Sequence, residues 1–104
     1  MYFITVLSLR TETHHGKTFK DVPHCRCMGY RIKLEDAIGT VKTNAADIHE
    51  CSFTYAVIEK YGEGMYADPE EIQWYIWEGD DETGGYKECE RPEPLKKIIS
   101  FGIG

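Results

Sequence analysis

YFITVLSL, Tyr2 to Leu9, is apolar or β-branched at every position but Ser8. A strand with one wet face alternates polar and apolar residues, whereas a run apolar on both alternating faces belongs inside a sheet that is covered twice. Tyr2 to Leu9 is therefore expected to be a central strand. Downstream, residues 10 to 24 are polar, contain Gly16 and Pro23, and follow neither a helical nor a strand period. They are expected to form a long loop or an irregular hairpin. CRCMGYRI, Cys25 to Ile32, alternates again and reads as a short second strand, with Gly29 marking a bulge or a close backbone approach.

Leu34, Ala37, Ile38 and Val41 then recur at i, i+3, i+4 and i+7, the spacing of a helix with one buried stripe, and Asn44 suits its C-terminal end. Asp47 is placed to cap a short turn through His49. FTYAVIEKY (Phe53 to Tyr61) and IQWYIWE (Ile72 to Glu78) are rich in aromatic and β-branched residues and are expected to pair as a wide hairpin. DDETGG is a turn, and YKECERP after it is a weaker strand stopped by Pro92 and Pro94. Residues 93 to 99 have room for one or two helical turns, and Phe101 and Ile103 in the apolar tail are expected to dock on the body. The order β-β-α-β-β-β-α predicts a single α+β domain over residues 1–104, mainly antiparallel sheet with a helix packed on one face.

Composition narrows the function classes. A chain of 104 residues with 41% hydrophobic residues suits one core. No run approaches the ~20 apolar residues of a membrane helix, and the start MYFITVLSLR lacks a positive leader and a small-residue cleavage site. The expectation is a cytoplasmic protein with reduced cysteines at Cys25, Cys27, Cys51 and Cys89. The net charge of −6 is unevenly spread: residues 10 to 33 hold six Lys/Arg against two acids, and residues 34 to 104 hold six against sixteen. An acidic total argues against broad nucleic-acid binding, which neutralises phosphates with Lys and Arg. A local anion site on the basic stretch is compatible with it.

HHGKTFKDVPHCRC, residues 14 to 27, invites two sharper readings. A phosphate loop of the G-x-x-x-x-G-K-[ST] type needs a glycine five positions before Gly16, where Thr11 stands. Zinc ligands come as C-x₂₋₄-C with H-x₃₋₅-H. Here Cys25 and Cys27 are one residue apart, with His14 or His15 as the nearest further ligands and no second paired set. Small thiols packing as hydrophobes are the commoner case, so neither a metal nor another cofactor is expected. Cys25 or Cys51 with His24 or His49 supplies the residue types of a nucleophile pair, but no nucleophile elbow surrounds them. The acid pairs Glu70-Glu71 and Asp80-Asp81 read as solvated loop residues. No catalytic residues are assigned, and the chain is read as a non-enzyme.

Aromatic residues remain. Strict alternation along Ile72 to Glu78 sends Ile72, Trp74 and Ile76 to one face and Gln73, Tyr75 and Trp77 to the other. With about two helices, one of them short, to cover a sheet roughly 20 Å wide, one face is expected to need a partner copy or a ligand. A two-fold dimer or higher homo-oligomer is the expected form.

RCMGY (26–30), the amphipathic helix ending at Asn44, DIHE (47–50), YAVIEKYGEGMY (55–66), WYIW (74–77) and the terminal FGIG together resemble a family of small uncharacterised proteins of Firmicutes bacteria and of their phages and mobile elements. The resemblance covers most of the chain. It departs at residues 10 to 24, a longer basic insertion here, and at the helix start, where Lys33 stands in place of a Ser or Asp cap. It implies a setting rather than a chemistry: phage-borne proteins of this size are often inhibitors of bacterial immunity, acting on a defence protein or its nucleotide signal in the host cytoplasm. The resulting expectation is a non-enzymatic protein that sequesters a small anionic, nucleotide-like ligand, with Arg26, Tyr30, Arg31, Lys33 and Trp77 as the contacts. The alternatives are an acidic protein-protein inhibitor of a defence protein, and a small metal- or thiol-dependent enzyme.

Overall fold

The computed structural model describes residues 1–45, 49, 53–62, 70–80 and 82–93. Among them are β1 (Tyr2–His14), β2 (Lys17–Arg31), α1 (Leu34–Lys42), β3 (Tyr55–Lys60), β4 (Glu70–Glu78) and β5 (Gly85–Cys89). The strands make one sheet in the order β2-β1-β3-β4-β5, and every neighbouring pair is antiparallel. The result is a small α+β domain, mostly strand, with α1 on one face. One helix stands among the described residues where two are expected from sequence. Apart from Glu93, the second helical segment lies outside the described residues, as do the Asp47 turn and the docking of Phe101 and Ile103.

β1 is the central strand the sequence predicts, flanked by β2 and β3. Its successive residues Ile4, Thr5, Val6 and Leu7 are all buried, which alternation permits only when both faces are covered. Ile4 and Val6 pack with Ala37 and Val41 of α1 and with Ala56, Ile58, Tyr75 and Tyr86. Leu34 and Ile38, partly buried, complete the helix stripe. On the far face Leu7 joins Val57 and Trp74. Leu7 and Val57 have no exposed surface within the single chain, so the centre of this face is covered without a partner copy.

Of the two readings of residues 10 to 24, the irregular hairpin is the one that holds. β1 and β2 stay paired out to His14 and Lys17, while β3 pairs with β1 only over Tyr2 to Leu7. Ser8, buried and accepting the Thr54 N–H, and Leu9, packed on the far-face cluster, still belong to the body, and past them Arg10–His14 and Lys17–Val22 project as a two-stranded arm. His15 and Gly16 close it with φ of 52° and 76°, the double positive φ of a tight hairpin turn whose twist matches the strands. The arm is polar on both sides because no layer covers it, which is why its strands carry no hydrophobic period.

Gly29 is a bulge as expected: its φ of 129° coincides with a register shift opposite Ile4/Thr5. A bulge on β4 corrects the alternation read from sequence. Ile58 faces Gln73 and Glu59 faces Glu71, skipping Ile72. Ile72 consequently packs on the helix-side cluster instead of alongside Trp74. Glu70 and Glu71, expected in a loop, open β4. α1 starts after Lys33 without a side-chain cap and ends with Asn44 at φ 50°, its N–H bonded to the Val41 carbonyl.

Truncating Ile58 to Ala is expected to lower stability by about 2–5 kcal/mol through lost burial and a residual cavity. The same change at Ile32, which is 70% exposed, should stay within about 0.5 kcal/mol. Urea unfolding of the two variants checks the contrast, and equal losses would show the core placed wrongly.

Candidate ligand-binding site

At the start of β1 the register lines up an aromatic row. Phe3 faces Tyr30 on β2 and Glu59 on β3, and Tyr61 follows two residues after Glu59, on the same side. The Phe3 and Tyr30 rings lie 5.6 Å apart and tilted by 44°. Phe3 meets Tyr61 edge-on at 5.1 Å and 83°. Edge-to-face contacts of this kind hold rings in place beyond what burial alone provides. Tyr30 itself is 50% exposed.

Cations gather at the same end of the sheet. On the opposite face Tyr2 is paired with Arg31 on one side and Lys60 on the other. The Lys60 ammonium sits 5.9 Å from the centre of the Tyr2 ring. Arg31 is fixed against α1 by a hydrogen bond from its Nε to Thr40 Oγ1 at 3.2 Å. Lys33, at the N-terminal boundary of α1, is exposed.

Of the five contacts expected from sequence, Tyr30, Arg31 and Lys33 lie at the same end of β2, but Tyr30 turns to the Phe3 face and Arg31 to the α1 face. Arg26 lies further along the strand, opposite Val6. Trp77 is on β4, three strands from β2. It stacks on His49 at 3.6 Å with 7° between the planes and meets Tyr86 edge-on at 5.0 Å. His49 Nδ1 lies 3.0 Å from the Phe53 carbonyl and 3.3 Å from the Tyr86 hydroxyl, which itself donates to that carbonyl at 3.0 Å. Burial pushes the Tyr86 hydroxyl far above its ordinary pKa. The group acts as packing that ties the segment before β3 to β4 and β5.

Phe3, Tyr61 and Lys60 were not singled out in the sequence, because their meeting depends on strand order and register. Glu59 was missed as well. It is fully buried, after the apolar run Ala56 to Ile58 and across from Glu71. Glu71 accepts a hydrogen bond from Trp74 Nε1 at 2.7 Å and pairs with Arg91 at 2.6 Å. With both oxygens of Glu71 engaged, this is a polar network holding β4 to the segment after β5.

The catalytic and metal alternatives do not assemble among the described residues. His24 and Cys25 are successive on β2 and point to opposite faces. The His24 imidazole instead reaches Glu12 Oε1, while His14 Nε2 donates to Glu12 Oε2 at 3.0 Å. Burial, with a smaller contribution from the charge of Glu59, pushes the Cys25 thiol up, away from the thiolate a nucleophile needs. No group of three His, Cys, Asp or Glu side chains converges on an ion-sized point among the described residues. Cys51 lies outside them. A depression of about 290 Å³ lined by Lys42, Tyr86, Lys87 and Glu88 lies at the far edge of the sheet, where Lys42 is already paired to Glu88 at 3.1 Å. No helix among the described residues is long and apolar enough to cross a membrane. The chain matches no protein-family model, no curated protein and no solved structure.

The hydrogen bond from His14, aided by His24, holds the Glu12 carboxyl below its ordinary value of 4.5. A lowered carboxyl pKa stabilises the fold above the unfolded value, and that contribution disappears as pH falls through the folded one. The stability difference between the parent and Glu12→Gln should therefore be present at neutral pH and shrink as pH drops below 4.5. Urea titrations across acid pH check it, and a difference that grows on acidification would contradict it.

Proposed function

We propose that this chain is a non-enzymatic binding protein that holds a small anionic, nucleotide-like ligand at the Tyr30 end of the sheet. The observation that carries the reading is the half-exposed Tyr30 ring, supported by Phe3, at the strand ends where Arg31 and Lys60 stand on the other face of the sheet and Lys33 in the turn beyond β2. A nucleobase stacks on an aromatic face for about 1–3 kcal/mol without needing a hydrogen-bond code. Phosphate oxygens are met by the two lysines as mobile point charges and by Arg31 as a planar donor already anchored at one nitrogen. An exposed half-site of this kind suits capture of a ligand and supplies no positioned base for turning one over.

The biological setting, sequestration of a nucleotide signal of bacterial immunity, rests on the family resemblance of RCMGY and the segments that follow it. The competing reading, an acidic inhibitor acting on a protein, draws on the sixteen acids from residue 34 onward. It differs in what the isolated protein does: such an inhibitor is indifferent to nucleotides.

A thermal-shift screen against linear and cyclic nucleotides should raise the melting temperature of the parent protein, as any ligand that binds the folded state must. Tyr30→Ala should weaken the best ligand by about 5- to 150-fold, the equivalent of one base stack, and Tyr30→Phe should retain most of the affinity. A parent protein indifferent to the whole panel would overturn the reading.

A further inference from the structure

The sheet is electrically polarised from edge to edge. Between Lys17 and Lys33, which spans the outer strand β2 and the turn after it, five cations stand against Asp21. Between Glu70 and Glu93, which spans β4 and the opposite edge β5, nine acids stand against Lys87 and Arg91. Four strand spacings of about 4.8 Å put the two edges roughly 19 Å apart, nearly twice the ~10 Å Debye length at 0.1 M salt. One edge therefore cannot neutralise the other within a chain. Among the described residues Lys17, Lys20 and Lys33 make no ion pair. On the acidic side Glu88 is held by Lys42, while Glu78, Asp80, Glu82 and Glu90 are exposed.

We infer that the basic β2 edge of one copy docks on the acidic β4–β5 edge of a second copy, head to tail. The occupant is a second copy because the chain itself presents both complementary surfaces. Unlike edges meeting in this way form a heterologous contact, which closes as a ring or runs on as an open chain. Strand-to-strand pairing does not contribute. β2 carries Pro23, the Gly29 bulge and Asp21 at a φ of 56°, devices that break a continuous ladder at an exposed edge. The contact is made by side-chain charge and is accordingly sensitive to salt. It goes beyond the ligand site: the two share Arg31 and Lys33, but Lys17 and Lys20, which carry the test, lie on the arm, away from Tyr30.

Sedimentation velocity at neutral pH tests it. At about 20 mM salt the parent should show concentration-dependent mass above the 12.0 kDa of one chain, with association weakened about tenfold or more at about 300 mM as the Debye length shortens. Lys17→Glu with Lys20→Glu, and separately Glu78→Lys with Glu82→Lys, should each be monomeric. Mixing the two variants should restore association, because the acidic β4–β5 edge kept by the first meets the basic β2 edge kept by the second. Circular dichroism of each variant confirms that it is folded, and all four substituted side chains are exposed. A parent that stays monomeric at low salt would overturn the inference. So would association that survives high salt, or variants that fail to recover it on mixing. Nucleotide binding by either variant should match the parent, so failure of this interface and failure of the ligand site are separate outcomes.

Discussion

The rest of the structure depends on the double pairing of β1. Val6 and Leu7 are neighbours in sequence, point to opposite faces and are both fully buried. Consecutive residues can both be dry only where a strand has partners on both sides and cover above and below. β1 meets these conditions from Tyr2 to Leu7, with β2 on one side and β3 on the other. A slip of one residue would exchange the two sets of side chains between faces, driving Thr5 into the space of Val6 against α1. The register is thus held by packing on both sides at once.

Both proposed surfaces follow from this register. Phe3 meets Tyr30 and Tyr61 because the pairing that seats Val6 opposite Ala56 also seats Phe3 opposite Tyr30 and Glu59. The arm exists because β1 runs on for seven residues after its pairing with β3 has ended. A supported aromatic ring at one end of β1 and a charged ribbon at the other are held by the same strand but face different solvent. Stacking at Tyr30 gains from a rigid support, whereas the charges of Lys17 and Lys20 act at a distance and need only be presented.

The sequence speaks clearly where burial writes a period. Tyr2 to Leu9 reads as central because it is apolar on both faces, and Leu34, Ala37, Ile38 and Val41 read as one helix stripe for the same reason. The arm is illegible because solvent on both sides removes the alternation that marks a strand, and because His15-Gly16 is a less usual pair for a turn that favours Asn-Gly. Ile72 is misassigned because a bulge changes the face without changing composition. Tyr30, Arg31 and Lys33 could be proposed together because they are adjacent along the chain. Phe3, Lys60 and Tyr61 could not, since strand order alone brings them there. Trp77 looked like a stacking residue for an outside ligand, and its stacking partner within the chain is His49, a contact with no signature in spacing.

Amide hydrogen exchange across β1 tests the double pairing most directly. Thr5, Val6 and Leu7 should exchange only through opening on the scale of global unfolding, while Thr11 to His14, in the singly paired arm, should exchange orders of magnitude faster through local opening. Protection that continues unchanged to His14, or Val6 and Leu7 exchanging as fast as the arm, would contradict a central strand that holds the body together and releases the arm beyond Leu9.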